Sequence, residues 1–152
     1  MANTQAMCSS FLGELMTATH NFTTGTGNTF KAALYLASAT VNASTTVYST
    51  SDEVTGTNYS PGGITVTNGT SPLSTNASAT AGTAYWTPSA SLTYTNVTLS
   101  TAFDAVLIYN SSASDKAVSV HTFGSQTVTA GTFTLTMPAN TTSTALIRLA
   151  TT

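Results

Sequence analysis

"FDAVLIYNSSASDKAVSVHTFG", residues 103–124, places two apolar runs on either side of the polar stretch SSASD. Runs this short, rich in Val, Ile and Tyr and bounded by Ser, Asp and Gly, read as strands. A loop of that length joins them as an antiparallel hairpin.

The same pattern continues outward from the hairpin. Downstream, "QTVTA" (126–130) and "TFTLTMP" (132–138) are separated only by Gly131. A tight hairpin and one bulged strand are both compatible with that spacing. "STALIRLA" (143–150) is a last apolar strand, expected to lie inside a sheet. Upstream, "SLTYTNVTLS" (91–100) alternates, with Leu92, Tyr94, Asn96 and Thr98 on one face and Thr93, Thr95, Val97 and Leu99 on the other. "NTFKAALYLA" (28–37), "STTVYST" (44–50), "GITVT" (63–67) and "TAYWT" (83–87) complete the set, with polar loop-like sequence at 67–82. About nine short strands with turn signals every 8–12 residues or so predict an all-β protein. The expected fold is an antiparallel β-sandwich, jelly-roll-like or immunoglobulin-like, with core strands at 30–36, 92–99, 104–109, 117–123, 132–137 and 144–149.

One helix is predicted, over residues 5–19, with Thr4 as its N-cap. Cys8, Phe11, Leu12, Leu15, Met16 and Thr19 fall at helical spacing on one face. The layout is an N-terminal helical segment, 1–22, packed on the domain or on a neighbour, and a single sandwich domain, 23–152. The face formed by Phe11, Leu12, Leu15 and Met16 is too apolar to be left in water. It either closes the core or contacts a partner. A helix confined to the N-terminus, rather than alternating with strands, argues against a parallel α/β fold.

Composition narrows the function. The chain has 152 residues, three Lys or Arg and five Asp or Glu, a charged fraction of 5% and a net charge of −2. Ordinary globular proteins carry about 25% charged residues, whereas Ser and Thr make up roughly a third of this chain. Lys31, Lys116 and Arg148 are too few and too scattered to form a phosphate-binding patch, so nucleic acid is not an expected partner. No apolar run approaches the length of a membrane helix. The N-terminal "MANTQAMCSSFLGELM" lacks the basic and apolar regions of a signal peptide. The Asn-x-Ser/Thr triplets at Asn21, Asn42, Asn58, Asn68, Asn76, Asn96, Asn110 and Asn140 are therefore read as products of composition. A neutral, hydroxyl-rich surface gives little colloidal repulsion and suits a protein packed against other proteins.

No catalytic or cofactor-binding constellation emerges. His20 and His121 lack a third ligand at metal-site spacing. His20 reads as a helix C-terminal residue. Asp52 and Glu53 lie in a Gly/Thr turn without the calcium-loop pattern and read as solvated side chains capping backbone N–H groups. Cys8 reads as a small buried hydrophobe. No Gly-x-Ser-x-Gly elbow supports a nucleophilic serine, and "GTGNTF" has no lysine to make it a phosphate cradle. Trp86 and the tyrosines Tyr35, Tyr48, Tyr59, Tyr85, Tyr94 and Tyr109 offer a sugar-binding platform as one alternative and core packing as the other. Catalytic, metal and cofactor residues are accordingly expected to be none.

Two groups of motifs carry a resemblance. "SSFLGELMTATHNF" (9–22) is followed by "NTFKAALYLASATVNASTTVYSTSDEVTGTNYSPGG" (28–63), and "AFDAVLIYNSSASDKAVSVHTFG" (102–124) by "TFTLTMPAN" (132–140) and "TALIRLA" (144–150). Together they resemble a family of small virion proteins of tailed bacteriophages, over most of the chain and least at 64–90. The resemblance implies a non-enzymatic structural protein of the phage particle, assembled in the bacterial cytoplasm, and it transfers no residue roles. A capsid decoration or cement protein binding the major capsid protein is the leading expectation. A neck, collar or tail component and a carbohydrate-binding adhesion module are the alternatives. A homo-oligomer, a trimer among the options, is expected.

Overall fold

A computed structural model describes residues 2–75 and 82–151. The sequon at Asn76 and residues 76–81 of the 67–82 loop lie outside the described residues. The elements are β1 (Ala6–Met7), α1 (Ser9–Met16), β2 (Phe30–Leu36), β3 (Ile64–Thr65), β4 (Leu73–Ser74), β5 (Thr83–Trp86), β6 (Leu92–Asn110), β7 (Lys116–Leu135) and β8 (Ile147–Ala150). They form an all-β sandwich of two antiparallel sheets with one short N-terminal helix. The strand orders are β1-β7-β6-β2-β3 and β4-β5-β8.

The hairpin around SSASD is the spine of the larger sheet. Asn110 pairs with Lys116, and the ladder runs to Leu92 opposite Leu135. Segments expected as separate strands are therefore continuous: 92–110 is one strand and 116–135 another. Bulges rather than turns absorb the irregularities. Asn96 adopts φ +52°, and one extra residue separates the pairs Tyr94–Phe133 and Val97–Gly131. The alternation changes phase there, so Leu92, Tyr94, Val97 and Leu99 are all buried on one side. This corrects the expected split of these residues between two faces. Gly131 lies within β7, with Ala130 at φ +45° beside it, so the bulged-strand reading holds.

Several expected strands shrink, among them 63–67, which keeps only Ile64–Thr65. Residues 44–50 contribute only an isolated bridge, Val47 to Lys116. Asn42 starts a turn that its side chain stabilises by accepting from the Ser44 N–H, and this breaks extended geometry. The last strand begins at Ile147 because Thr141 caps a preceding turn, accepting at its carbonyl from the Ala145 N–H and at Oγ1 from the Thr144 N–H. β8 is an edge strand in which only Ile147 is buried, not an internal one.

The helix is also shorter than expected, Ser9–Met16 rather than 5–19. Its N-cap is Cys8, not Thr4. Ala6 and Met7 instead pair with Val120 and Ser119 of β7, and the Thr4 N–H donates to the Val41 carbonyl. Sheet pairing by the chain leading into the helix overrides helical propensity.

The larger sheet is covered on both faces. On the Phe30 face, Phe22 stacks on Phe30 at 4.2 Å, and Trp86 of the smaller sheet lies 6.1 Å from Phe30. On the opposite face, the irregular connection 37–63 lies across β2 and β6, with Tyr48 stacked on Tyr109 at 4.5 Å. That connection ends in Gly62 and Gly63, at φ +89° and +67°. A Cβ on Gly63 would fall 1.7 Å from the Ala32 carbonyl oxygen. Gly63→Ala is expected to lower stability by about 2–4 kcal/mol, since strain and a backbone clash act together. Denaturant unfolding checks this, and an unchanged midpoint contradicts it.

Candidate functional site

The apolar face of α1 divides in two. Phe11 is buried, with its ring edge-on to His20 at 5.0 Å and to Phe22 at 6.1 Å. Leu15 packs against the core beside it. Leu12 remains 43% exposed and Met16 86%. The four residues are thus not equivalent: Phe11 and Leu15 close the core, while Leu12 and Met16 extend the apolar stripe into solvent. A hollow of about 90 Å³ runs between α1 and the smaller sheet, lined by Phe11, Leu15, Trp86, Ile147 and Leu149 among others. Exposed Leu149 borders its far side.

Glu14 fixes the helix in this posture. Its Oε2 accepts from His20 Nε2 at 2.7 Å, and its Oε1 accepts from Lys116 Nζ at 2.5 Å. Asn110 sets the histidine tautomer. Its Oδ1 accepts from the Ser112 N–H, so its Nδ2 faces both Asn28 Oδ1 and His20 Nδ1. His20 Nδ1 is then the acceptor, and Nε2–H is left to donate to Glu14. His20, read from its position as a polar residue at the helix C-terminus, is a buried tie between α1 and β6.

Partial burial raises the Glu14 pKa, but the hydrogen bonds from Lys116 and His20 and the Lys116 charge outweigh it and hold the carboxyl below its ordinary value of 4.5. A depressed carboxyl pKa stabilises the fold above the unfolded value, and that contribution disappears as pH falls through the folded value. The α1 amides are therefore expected to lose exchange protection as pH drops below 4.5, and Glu14→Gln should abolish that pH dependence. Hydrogen exchange measured across the acid range checks this, and acid-independent protection contradicts it.

A second polar cluster was missed in the sequence. Glu53 is buried, contrary to its reading as a solvated turn residue, whereas Asp52 is exposed in a left-handed turn at φ +59°. Glu53 Oε1 accepts from the Tyr59 hydroxyl at 2.7 Å and from the Gly62 N–H at 2.8 Å. Its Oε2 accepts from the Tyr48 hydroxyl at 2.6 Å. Tyr59 Oη in turn accepts from the Leu34 N–H. Burial, followed by the adjacent carboxylate, pushes the Tyr48 phenol upward, so it stays a donor. All the groups are mutually satisfied, and the carboxylate fastens connection 37–63 to β2.

The remaining candidates are dispersed. His121 meets Ser119 Oγ at 2.9 Å and shares no partner with His20. Among the described residues, no three His, Cys, Asp or Glu side chains stand close enough to hold a metal ion. Cys8 is buried, and burial together with the Glu14 charge pushes its thiol up to about 11. Trp86 is buried, with its indole N–H donating to Asn68 Oδ1 and the Thr70 carbonyl. Neither it nor buried Tyr35, Tyr59, Tyr94 and Tyr109 presents a ring face on which a sugar could stack.

No protein-family model, curated protein or solved structure matches the chain. The resemblance to phage virion proteins rests on the sequence motifs alone.

Proposed function

We propose that this chain is a non-enzymatic structural protein of a tailed-phage particle. In this reading it decorates or cements the capsid, with the outer face of α1 seated on the shell protein. The observation that carries the proposal is the exposure of Leu12 and Met16 on a helix that cannot turn them inward. Glu14 is held from β7 by Lys116 and from the following loop by His20, and Phe11 is locked in the aromatic core. A fixed apolar stripe is a preformed contact, with little ordering cost on binding.

The scarcity of charge supports the same reading. Neutral hydroxyl-rich surfaces can be covered by neighbours without desolvating ions. A stripe of a few side chains is smaller than the 1,200–2,000 Å² or so of a standard stable interface. Strength then comes from many copies engaging a lattice at once.

The copy number of the chain in purified particles tests the assignment. An abundance comparable to that of the shell protein is expected. A handful of copies would move the chain to the neck or tail, and its absence would remove it from the particle.

A further inference from the structure

The smaller sheet has three strands and the larger has five, and the mismatch leaves a gap. A cleft of about 630 Å³ lies between β8 and the β1–β7 side of the larger sheet, bordered by Met7, His121, Leu146, Arg148 and Ala150 among others. A strand in a sandwich occupies about 3.3 Å along the chain, 4.8 Å across the sheet and 10 Å between sheets, or roughly 160 Å³ per residue. The cleft therefore has room for about four residues of extended chain, and β8, its wall, is itself four residues long.

β8 is also unguarded. The Thr151 N–H donates to the Gly82 carbonyl, which fixes which residues of β8 bond toward β5: Leu149 and Ile147 do, and Arg148 and Ala150 direct their N–H and C=O groups away. Among the described residues, no backbone group meets that edge. β8 has no proline, and its pairing with β5 shows no register shift. The other edges are protected by the usual devices. β3 and β4 are two residues long, β1 is flanked by bonds to Val41 and Ala43, and the far half of β7 is bulged.

We infer that this seam is a strand-addition site for an extended segment of a different protein. The segment carries small or β-branched residues toward Met7 and His121 and an acidic residue beside Arg148. The charge requirement follows from the lining, which has one cation and no acid. Arg148 spends Nη1 on the Ser143 carbonyl, and none of its other N–H groups bonds to a described residue. Burial keeps His121 uncharged by pushing it down to about 4.

A second copy of this chain has no suitable acid to offer. Glu14 and Glu53 are engaged, and Asp104 accepts from Asn3 within β6. Asp52 and Asp115 sit in left-handed turns at φ +59° and +57°. This inference does not depend on the role given to α1.

The test titrates the isotope-labelled full chain with the capped peptide Thr-Val-Glu-Val-Thr and follows its backbone amides by NMR. Saturable shifts are expected, with new exchange protection at Arg148 and Ala150 and little change at Ile147 and Leu149. The Lys-centred peptide should bind about threefold more weakly, as for an exposed ion pair, and Arg148→Gln should erase that difference. A Pro-centred peptide should not bind. Absence of saturation, or equal binding of the Pro peptide, overturns the proposal. Protection at Arg148 and Ala150 that rises with protein concentration without peptide also overturns it, by assigning the edge to a second copy.

Discussion

Glu53→Ala should lower stability by about 3–5 kcal/mol, the usual range when one member of a buried, charged hydrogen-bonded set is removed. Three donors lose their acceptor together: the hydroxyls of Tyr48 and Tyr59 and the N–H of Gly62. The Tyr59 hydroxyl and the Gly62 N–H are buried and cannot turn to solvent without moving connection 37–63 off the sheet. For a domain of this size the loss corresponds to a fall in melting temperature on the order of 10 °C. Glu53→Gln should fall between wild type and the alanine variant, because one carbonyl oxygen still accepts while the amide NH₂ faces a donor. Calorimetry of the three proteins checks the order. A melting temperature unchanged in Glu53→Ala would show that the carboxylate does not fasten the connection.

The hairpin at 103–124 was legible because both its strands obey local rules. Their apolar residues are dense and their loop is short, whereas the register, which shifts between Ile108 and Tyr109, is set only by the pairing itself. The phase change at Asn96 was not legible. Alternation predicts a face only while no residue is inserted, and nothing in "TYTNVT" announces a bulge until β7 supplies its partner. Glu53 was misread for a related reason. An acid in a Thr/Gly-rich turn is ordinarily solvated, and its donors, Tyr48, Tyr59 and Gly62, converge only when the connection folds back on β2. The α1 stripe was found as a stripe, but spacing alone could not divide it. Which half is buried depends on where Phe22 and Trp86 lie, and they come from other parts of the chain.

The second large effect is expected on association rather than folding. The pair Leu12→Gln and Met16→Lys keeps good helix formers in α1 and adds a cation to its last turn, where the helix dipole favours one. Stability should stay within about 0.5–1 kcal/mol of wild type, because Met16 touches little and Leu12 is half exposed. Binding to particles stripped of the protein should fall at least about tenfold, as when central apolar contacts of an interface are lost. Wild-type chain and the double variant, compared by co-sedimentation with such particles at matched melting temperature, separate the two effects. Undiminished binding by a folded variant would remove α1 from the interface.

Location within the particle decides the matter most directly. In an averaged image of the purified phage, the account places the sandwich on the capsid with α1, at Leu12 and Met16, pressed against the shell subunit. Density for this chain with that helix pointing into solvent, or none on the capsid at all, would contradict it.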